Sequence, residues 1–233
     1  MLDHIDLVLL ADTHELHREI DIPRGDILIH AGDFTMFSKS LDAIEDFNDW
    51  LGELPHPYKL IVPGNHEFFL EADPQRRRLL SNGTLLINEA IEIDGLRLWG
   101  SPVTPLYGGA FGLSSPADRS RHWSNMPATD VLITHGPPLG VLDRSPGQEH
   151  MGDPELLEAV QRIAPMLHVF GHVHGAAGQV TVGDTQFVNA ALLGWDGSMR
   201  NPVSFRMRRA APSIRQKCLA PRSSAKVRLD DQS

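Results

Sequence analysis

Asp33 closes the short apolar run Asp26-Ile27-Leu28-Ile29-His30-Ala31-Gly32, and four further apolar runs end in the same kind of chemistry. Leu7-Val8-Leu9-Leu10 leads into Asp12 and His14, and Leu60-Ile61-Val62 into Asn65 and His66. Val131-Leu132-Ile133 leads into His135, and His168-Val169-Phe170 into His172 and His174. Carboxylate, imidazole and amide oxygen hold borderline and hard divalent metals, and five segments presenting them together offer more ligands than one ion can use. The expectation is two metal ions with Asp33 between them.

Something must bring these residues to one place. Short apolar runs bounded by small or acidic residues read as buried strands of an α/β sheet, whose carboxyl ends open a crevice. Asp12 and His14, alternate residues of an extended segment, are expected to point at one ion. His172 and His174 project alike for the same reason, and Gly171 and Gly175 leave room for metals to come close. Asn65, in the turn Pro63-Gly64-Asn65-His66-Glu67, offers a neutral carbonyl oxygen. His14-Glu15-Leu16-His17 is not a zinc-protease motif, because its histidines are three apart with no helical pattern around them. His17 is expected at the surface or the rim.

Leu41, Ile44, Phe47, Leu51 and Leu54 share one helical face, and Pro55 and Pro57 end it. Such a helix is a crossover that lets Lys59 to Val62 lie parallel to the preceding strand. Asp73-Pro74 predicts a second capped helix through Arg76, Arg77 and Arg78, ending at Asn82-Gly83, with the arginines as a solvated face. Asp94-Gly95 joins Ile91-Glu92-Ile93 to Leu96-Arg97-Leu98 as a hairpin. Gly183-Asp184 does the same for Gln179 to Val182 and Thr185 to Val188. Asp153-Pro154 caps a helix striped with Leu156, Leu157, Val160 and Ile163. Residues 102 to 127, with Tyr107, Phe111 and Trp123, read as a long loop over the metal site, where Arg119 and His122 either touch substrate or lie at the surface. Pro202 to Met207 reads as a last edge strand.

With 233 residues and 41% hydrophobic content the chain suits one α/β domain with a real core. No run approaches the roughly 18 apolar residues of a membrane span. No charged segment followed by an apolar stretch precedes the first strand, so a secretory leader is not expected, and a reducing, cytoplasmic compartment is the default. The single cysteine, Cys218, agrees with that and carries no assigned role. Net charge is -9. It divides into a basic segment from 206 onward and a strongly acidic body, which is a poor long-range attractor for DNA. Residues 1–207 are expected to form the domain and 208–233 a basic, disordered tail.

Taken together, Asp12-Thr13-His14, Gly32-Asp33, Gly64-Asn65-His66-Glu67, His135 and Gly171-His172-Val173-His174 resemble the ordered motifs of the calcineurin-like metallophosphoesterase superfamily. Phe47-Asn48-Asp49-Trp50-Leu51, Leu80-Ser81-Asn82, Thr134-His135-Gly136-Pro137-Pro138-Leu139-Gly140 and Leu167-His168-Val169-Phe170-Gly171 look like its metallophosphoesterase-domain (MPPED) subfamily. The resemblance implies a four-layer α/β/β/α sandwich of two mixed sheets. It implies that Asp12, His14, Asp33 and His174 hold the first metal, and Asp33, Asn65, His135 and His172 the second. One branch of the subfamily has glycine in place of His172, which should weaken the second site. The protein serine/threonine phosphatases of the superfamily carry a phosphate-clamping arginine after the Gly-Asp motif, where this chain has Phe34-Thr35-Met36-Phe37. A monoester dianion gains most from such a clamp, so a phosphodiester is the expected substrate.

The expected reaction is hydrolysis of a small phosphodiester, such as a linear or cyclic nucleotide, by a hydroxide bridging the two ions. His66 is expected not to ligate but to stand over the leaving oxygen as proton donor or charge stabiliser, with Glu67 an orienting partner. The oxygen and nitrogen ligand set suits Mn²⁺, taken first, or Fe or Zn²⁺. Alternatives on the same scaffold are a nuclease, a phosphomonoesterase or a non-catalytic metal-binding module. Membrane and stable nucleic-acid binding are not expected, and the sequence does not specify an oligomeric state.

Overall fold

A computed structural model describes residues 4–37, 40–106 and 108–208. Two sheets face each other. In the first, β1 (His4–Leu10), β2 (Ile27–His30), β3 (Tyr58–Ile61) and the short β4 (Thr84–Leu85) run parallel in that order. The last described strand, Val203–Arg208, closes its other edge antiparallel to β1. The second sheet begins with the hairpin of β5 (Glu89–Ile93) and β6 (Leu96–Ser101), followed in parallel by β7 (Val131–Thr134) and β8 (Leu167–Phe170). It ends with β10 (Thr185–Asn189), parallel to β8, and β9 (Gly178–Val182), antiparallel to β10. The edge strand Val203–Arg208 is β11.

The two-residue period of extended backbone sorts a continuous apolar run into separate cores. In β1, Ile5, Leu7 and Leu9 face the second sheet with Ile27, Ile29, Val131, Ile133 and Val169. Val8 and Leu10 face the other way, against α1 (Asp42–Glu53) through Ile44, Phe47, Trp50 and Leu51. On the far side, Trp99, Leu132 and Phe170 meet Trp123, Leu156 and Val160 of α3 (Pro116–Ser124) and α4 (Pro154–Ile163). The result is four layers, helix, sheet, sheet and helices. Full burial of each Leu or Ile contributes about 1.5–3 kcal/mol. A short α2 (Phe68–Ala72) follows the Asn65 turn.

Three expectations need correcting. Residues 102–127 are not all loop, because Ser115 accepts a hydrogen bond from Asp118 N and Pro116 starts α3. That helix shows little periodicity because its buried residues are one tryptophan and one arginine, Trp123 and Arg119. Asp73 does cap the next turn, accepting from Gln75 N at 2.9 Å, but Pro74–Leu79 winds as a 3₁₀ helix and stops before Asn82. His17 is buried, its Nε2 3.0 Å from Asp46 Oδ2 and its ring against Phe47 and Trp50 of α1. Tyr107, Cys218 and the tail after Arg208 lie outside the described residues.

Candidate metal centre

The expected ligands meet where the two sheets come together at the carboxyl ends of their central strands. Past Leu10, Ala11 N donates to Ala190 O and Ala11 O accepts from Leu192 N, which ties the end of β1 to the end of β10. Gly171 N donates to His135 O, and Asp12 N to Gly32 O, so the ends of five strands are tied by backbone bonds.

Asp12 and His14 are not extended. Both adopt left-handed backbone, φ 55° and 43°, as do Asp33 at 55° and His172 at 69°. Conformations this rare in residues with a Cβ cost of order 1–3 kcal/mol each, and they cluster where geometry is set by chemistry. Sharp turns, not strand alternation, therefore aim these side chains. They also send His172 and His174 to different places, although only one residue separates them.

One cluster comprises Asp12, His14 and His174; another comprises Asp33, His135 and His172; and Asp33 also meets His14 and His66. His14 Nε2 lies 3.3 Å from His174 Nε2, and His174 Nε2 lies 3.4 Å from Asp12 Oδ1. His135 Nε2 lies 2.9 Å from Asn65 Oδ1 and 3.3 Å from Asp33 Oδ2. Ligand bonds of about 2.0–2.2 Å place neighbouring donors on one ion roughly 3 Å apart, so these spacings fit divalent cations. Asp12 Oδ1 is buried and accepts no hydrogen bond, an orphan that a cation would satisfy. All seven expected ligands are thus gathered, with Asp33 common to two clusters.

Backbone groups fix the ligands' protonation. His135 Nδ1 donates to Ala31 O at 2.9 Å and His14 Nδ1 to Thr35 O at 3.3 Å, which leaves each Nε2 lone pair turned inward. Asp12 Oδ2 accepts from His172 N at 2.8 Å. Glycines make the closeness tolerable. A Cβ on Gly64 would strike Asp33 Oδ1, one on Gly171 would strike Asp12 Oδ2, and one on Gly32 would strike His135 Nδ1.

Charge is concentrated here. Burial works against ionisation of Asp33, but His135 and His66 hold its carboxyl well below the usual range. Burial likewise opposes the charge on His135, and Asp33 overcomes it, raising His135 to about 9. His172, partly buried and facing His135, is pushed down to about 4 by desolvation and by that neighbour's charge.

His66 belongs to the group by position more than by ligation. Its Nε2 lies 3.8 Å from Asp33 Oδ2, its backbone N–H donates to Asp33 Oδ1 at 2.9 Å, and its side chain keeps 15% exposure. Nδ1 accepts from Phe37 N at 3.4 Å, so the neutral ring carries its proton on Nε2, the nitrogen facing the cluster. Burial lowers its pKa.

The Glu67 carboxylate does not orient the His66 ring. It is buried and accepts from Asp33 N at 3.0 Å, Thr35 N and Thr35 Oγ1 at 2.9 Å and Gly64 N at 2.6 Å, bracing both ligand turns. Arg119 and His122 are committed elsewhere. Arg119 is buried against Asp153 at 3.1 Å and Glu155 at 2.9 Å, and His122 Nε2 meets Ser101 Oγ at 3.0 Å. Part of the 102–127 segment does reach the site, since Ala110 N donates to Asn65 O at 2.9 Å. Two neighbours of the site escaped sequence reasoning: Phe37 stacks on His66, and Trp195 lies beside His174. Single aromatic residues in loops carry no periodicity that would mark them.

Comparison with known proteins agrees with the geometry. The calcineurin-like phosphoesterase family model matches residues 5–176. The chain is 39% identical over 204 residues to UPF0046 protein K07C11.7 of Caenorhabditis elegans, covering 81% of this chain and 70% of that protein. It is 38% identical over 213 residues to human metallophosphoesterase domain-containing protein 1, covering 79% of this chain and 65% of the relative. Protein TT1561 of Thermus thermophilus shares the fold, with a TM-score of 0.55 at 13% identity over 82% of this chain and 89% of that one. Ordered motifs, two-sheet architecture and these relatives converge: the chain belongs to the calcineurin-like phosphoesterase family, in the branch of the metallophosphoesterase domain-containing proteins.

Proposed function

We propose that the protein is a dinuclear metal-dependent phosphodiesterase acting on small nucleotides or similar diesters. The observation that carries this reading is that Asp33 groups with His135 and His172 on one side and, on the other, with His14, itself part of the Asp12–His174 cluster, while the Nε2–H of His66 faces the same carboxylate at 3.8 Å. Asp12, His14, Asp33 and His174 would hold one cation, and Asp33, Asn65, His135 and His172 the other. Bound there, two divalent cations such as Mn²⁺ supply a deprotonated water at neutral pH and neutralise the phosphoryl oxygens.

The protein's own groups supply the rest. Asp33, His135 and the neutral Asn65 oxygen fix where the phosphoryl group is presented. His66, its Nδ1 held by Phe37 N–H, directs its Nε2–H at the leaving oxygen and stabilises the negative charge that develops there, a contribution of about 10²–10³-fold. The place of a monoester-clamping arginine is taken by Phe34, which is buried, and by Phe37, which covers His66. That favours a singly charged diester over a monoester dianion.

Hydrolysis of bis(p-nitrophenyl) phosphate, p-nitrophenyl phosphate and a plasmid, each with and without Mn²⁺, tests the reading. Mn²⁺-dependent preference for the diester supports it. Plasmid cleavage with strongly salt-dependent DNA affinity would favour a nuclease. Metal binding with no turnover would favour a non-catalytic module.

A further inference from the structure

Five aromatic rings run in a row past the cluster: Phe37, His66, His14, His174 and Trp195, with neighbouring centroids 4.1, 4.7, 5.1 and 5.1 Å apart. The row follows the open side of the site, where His66 and His174 keep 15% and 14% side-chain exposure while Asp12, Asp33 and His135 are buried. Its ends project into solvent, Phe37 52% and Trp195 63% exposed. The two ends differ. Phe37 lies face to face with His66, interplanar angle 18°, so one of its faces is already used. Trp195 is tilted 33° from His174 and carries the larger π surface.

Trp195 is also held in place. Gly194 N donates to Ser198 O at 2.7 Å, Gly197 N to Gly194 O at 3.0 Å and Arg200 N to Leu192 O at 2.9 Å. Asp196 Oδ1 accepts from both the backbone N, at 3.0 Å, and the Oγ, at 2.6 Å, of Ser198. On the opposite side, a Cβ on Gly175 would come within 3.1 Å of the indole Cδ1 and Nε1, so that glycine gives the ring its seat beside the ligand turn. The other three tryptophans, Trp50, Trp99 and Trp123, are 4%, 5% and 1% exposed. An ordered turn that holds an indole open to solvent next to a metal-ligating imidazole is a stacking platform within reach of a phosphoryl group.

We propose that Trp195 is a specificity-determining residue, on which the purine or pyrimidine base of a nucleotide ester stacks while its phosphate occupies the metal site. This rests on the phosphodiesterase reading and narrows it to base-bearing esters. Stacking on an aromatic side chain tolerates any base, because every base presents a π face. The pairing predicts selection for a base as such and little discrimination among bases.

Adenosine 5′-monophosphate and ribose 5-phosphate carry the same phosphate and differ only in the base, so they isolate the platform. Each is titrated into the Mn²⁺-loaded full chain while tryptophan emission, whose solvent-exposed component belongs to Trp195, is followed. The expected result is quenching by adenosine 5′-monophosphate and none by ribose 5-phosphate. Trp195→Ala should abolish the quench and weaken the nucleotide Kd about ten-fold, which is about 1.4 kcal/mol. Trp195→Phe should restore most of that affinity, and ribose 5-phosphate should bind all three proteins alike. Equal loss of both ligands in Trp195→Ala, or nucleotide affinity unchanged by it, overturns the proposal. Absence of diester turnover in the wild type would sink the phosphodiesterase reading instead, whereas base-dependent quenching would still locate the base on Trp195.

Discussion

The imidazole of His66 lies flat on the ring of Phe37, centroids 4.1 Å apart, while the backbone N–H of Phe37 donates to its Nδ1 at 3.4 Å. Phe37 itself has left-handed backbone, φ 61°, which turns its N–H and its ring toward the same partner. One residue thereby fixes both the tautomer and the plane of the ring proposed to stabilise the leaving oxygen. Misplacement of such a group by about 1 Å can cost up to roughly 10²-fold. Phe37→Ala should therefore lower diester turnover about ten- to a hundred-fold without loss of bound metal by elemental analysis, and Phe37→Tyr should restore it. His66→Ala sets the floor, keeping both metals and losing about 10²–10³-fold. Metal loss in either variant would place His66 among the ligands.

His172 tests the division of ligands between two ions. Its ring faces His135, centroids 5.0 Å apart, on the side of the cluster away from His14 and His174. His172→Gly should reduce the metal content of the fully loaded chain from two equivalents toward one, with Asp12, His14 and His174 retaining theirs. Elemental analysis after dialysis against Mn²⁺ decides it. Two ions still held firmly would mean that Asn65, His135 and Asp33 suffice.

The ligand residues were legible in the sequence because each follows a strand whose apolar run is continuous, and β1, β2, β7 and β8 are continuous because both their faces are buried. Their aim was not legible. Asp12, His14, Asp33 and His172 depend on left-handed turns that tertiary bonds impose, such as His172 N to Asp12 Oδ2 across 160 positions. α3 was missed for a different reason, since its buried Arg119 is balanced by Asp153 and Glu155 and leaves no apolar stripe to see. Glu67 was noticed at the right place and given the wrong partner, because a carboxylate beside a histidine in sequence need not face it in space.

Glu67 carries a prediction about folding. Its two oxygens accept four hydrogen bonds from the Asp33, Thr35 and Gly64 segments, and burial together with the Asp33 charge pushes its pKa up to about 7. Glu67→Gln turns one acceptor oxygen into a donor facing donors. An unsatisfied buried group of this kind costs about 2 kcal/mol, which in a domain of this size lowers Tm by roughly 4–8 °C. Calorimetry of the metal-free variant measures it. An unchanged Tm would show that the brace is dispensable.

Acid sensitivity follows from two histidines held neutral. Burial pushes both His30 and His168 down to about 3. His168 packs between Phe170 and Phe187, and its Nε2 lies 2.8 Å from Thr134 Oγ1. That hydroxyl directs its own hydrogen to Gly136 O at 2.7 Å, so the imidazole proton sits on Nε2. Below the unfolded value near 6.5 the unfolded chain takes up a proton at each histidine that the folded chain refuses, so stability falls as pH drops from about 6.5 toward 3. Each histidine contributes up to about 1.4 kcal/mol per pH unit in that window. His168→Gln keeps a side-chain donor for Thr134 and cannot titrate. Its urea-unfolding free energy between pH 6 and pH 5 should therefore fall less steeply than the wild type's, by about one proton's worth. The metal ligands titrate identically in both proteins and cancel from the difference, so parallel profiles would show that His168 is already free to charge in the folded state.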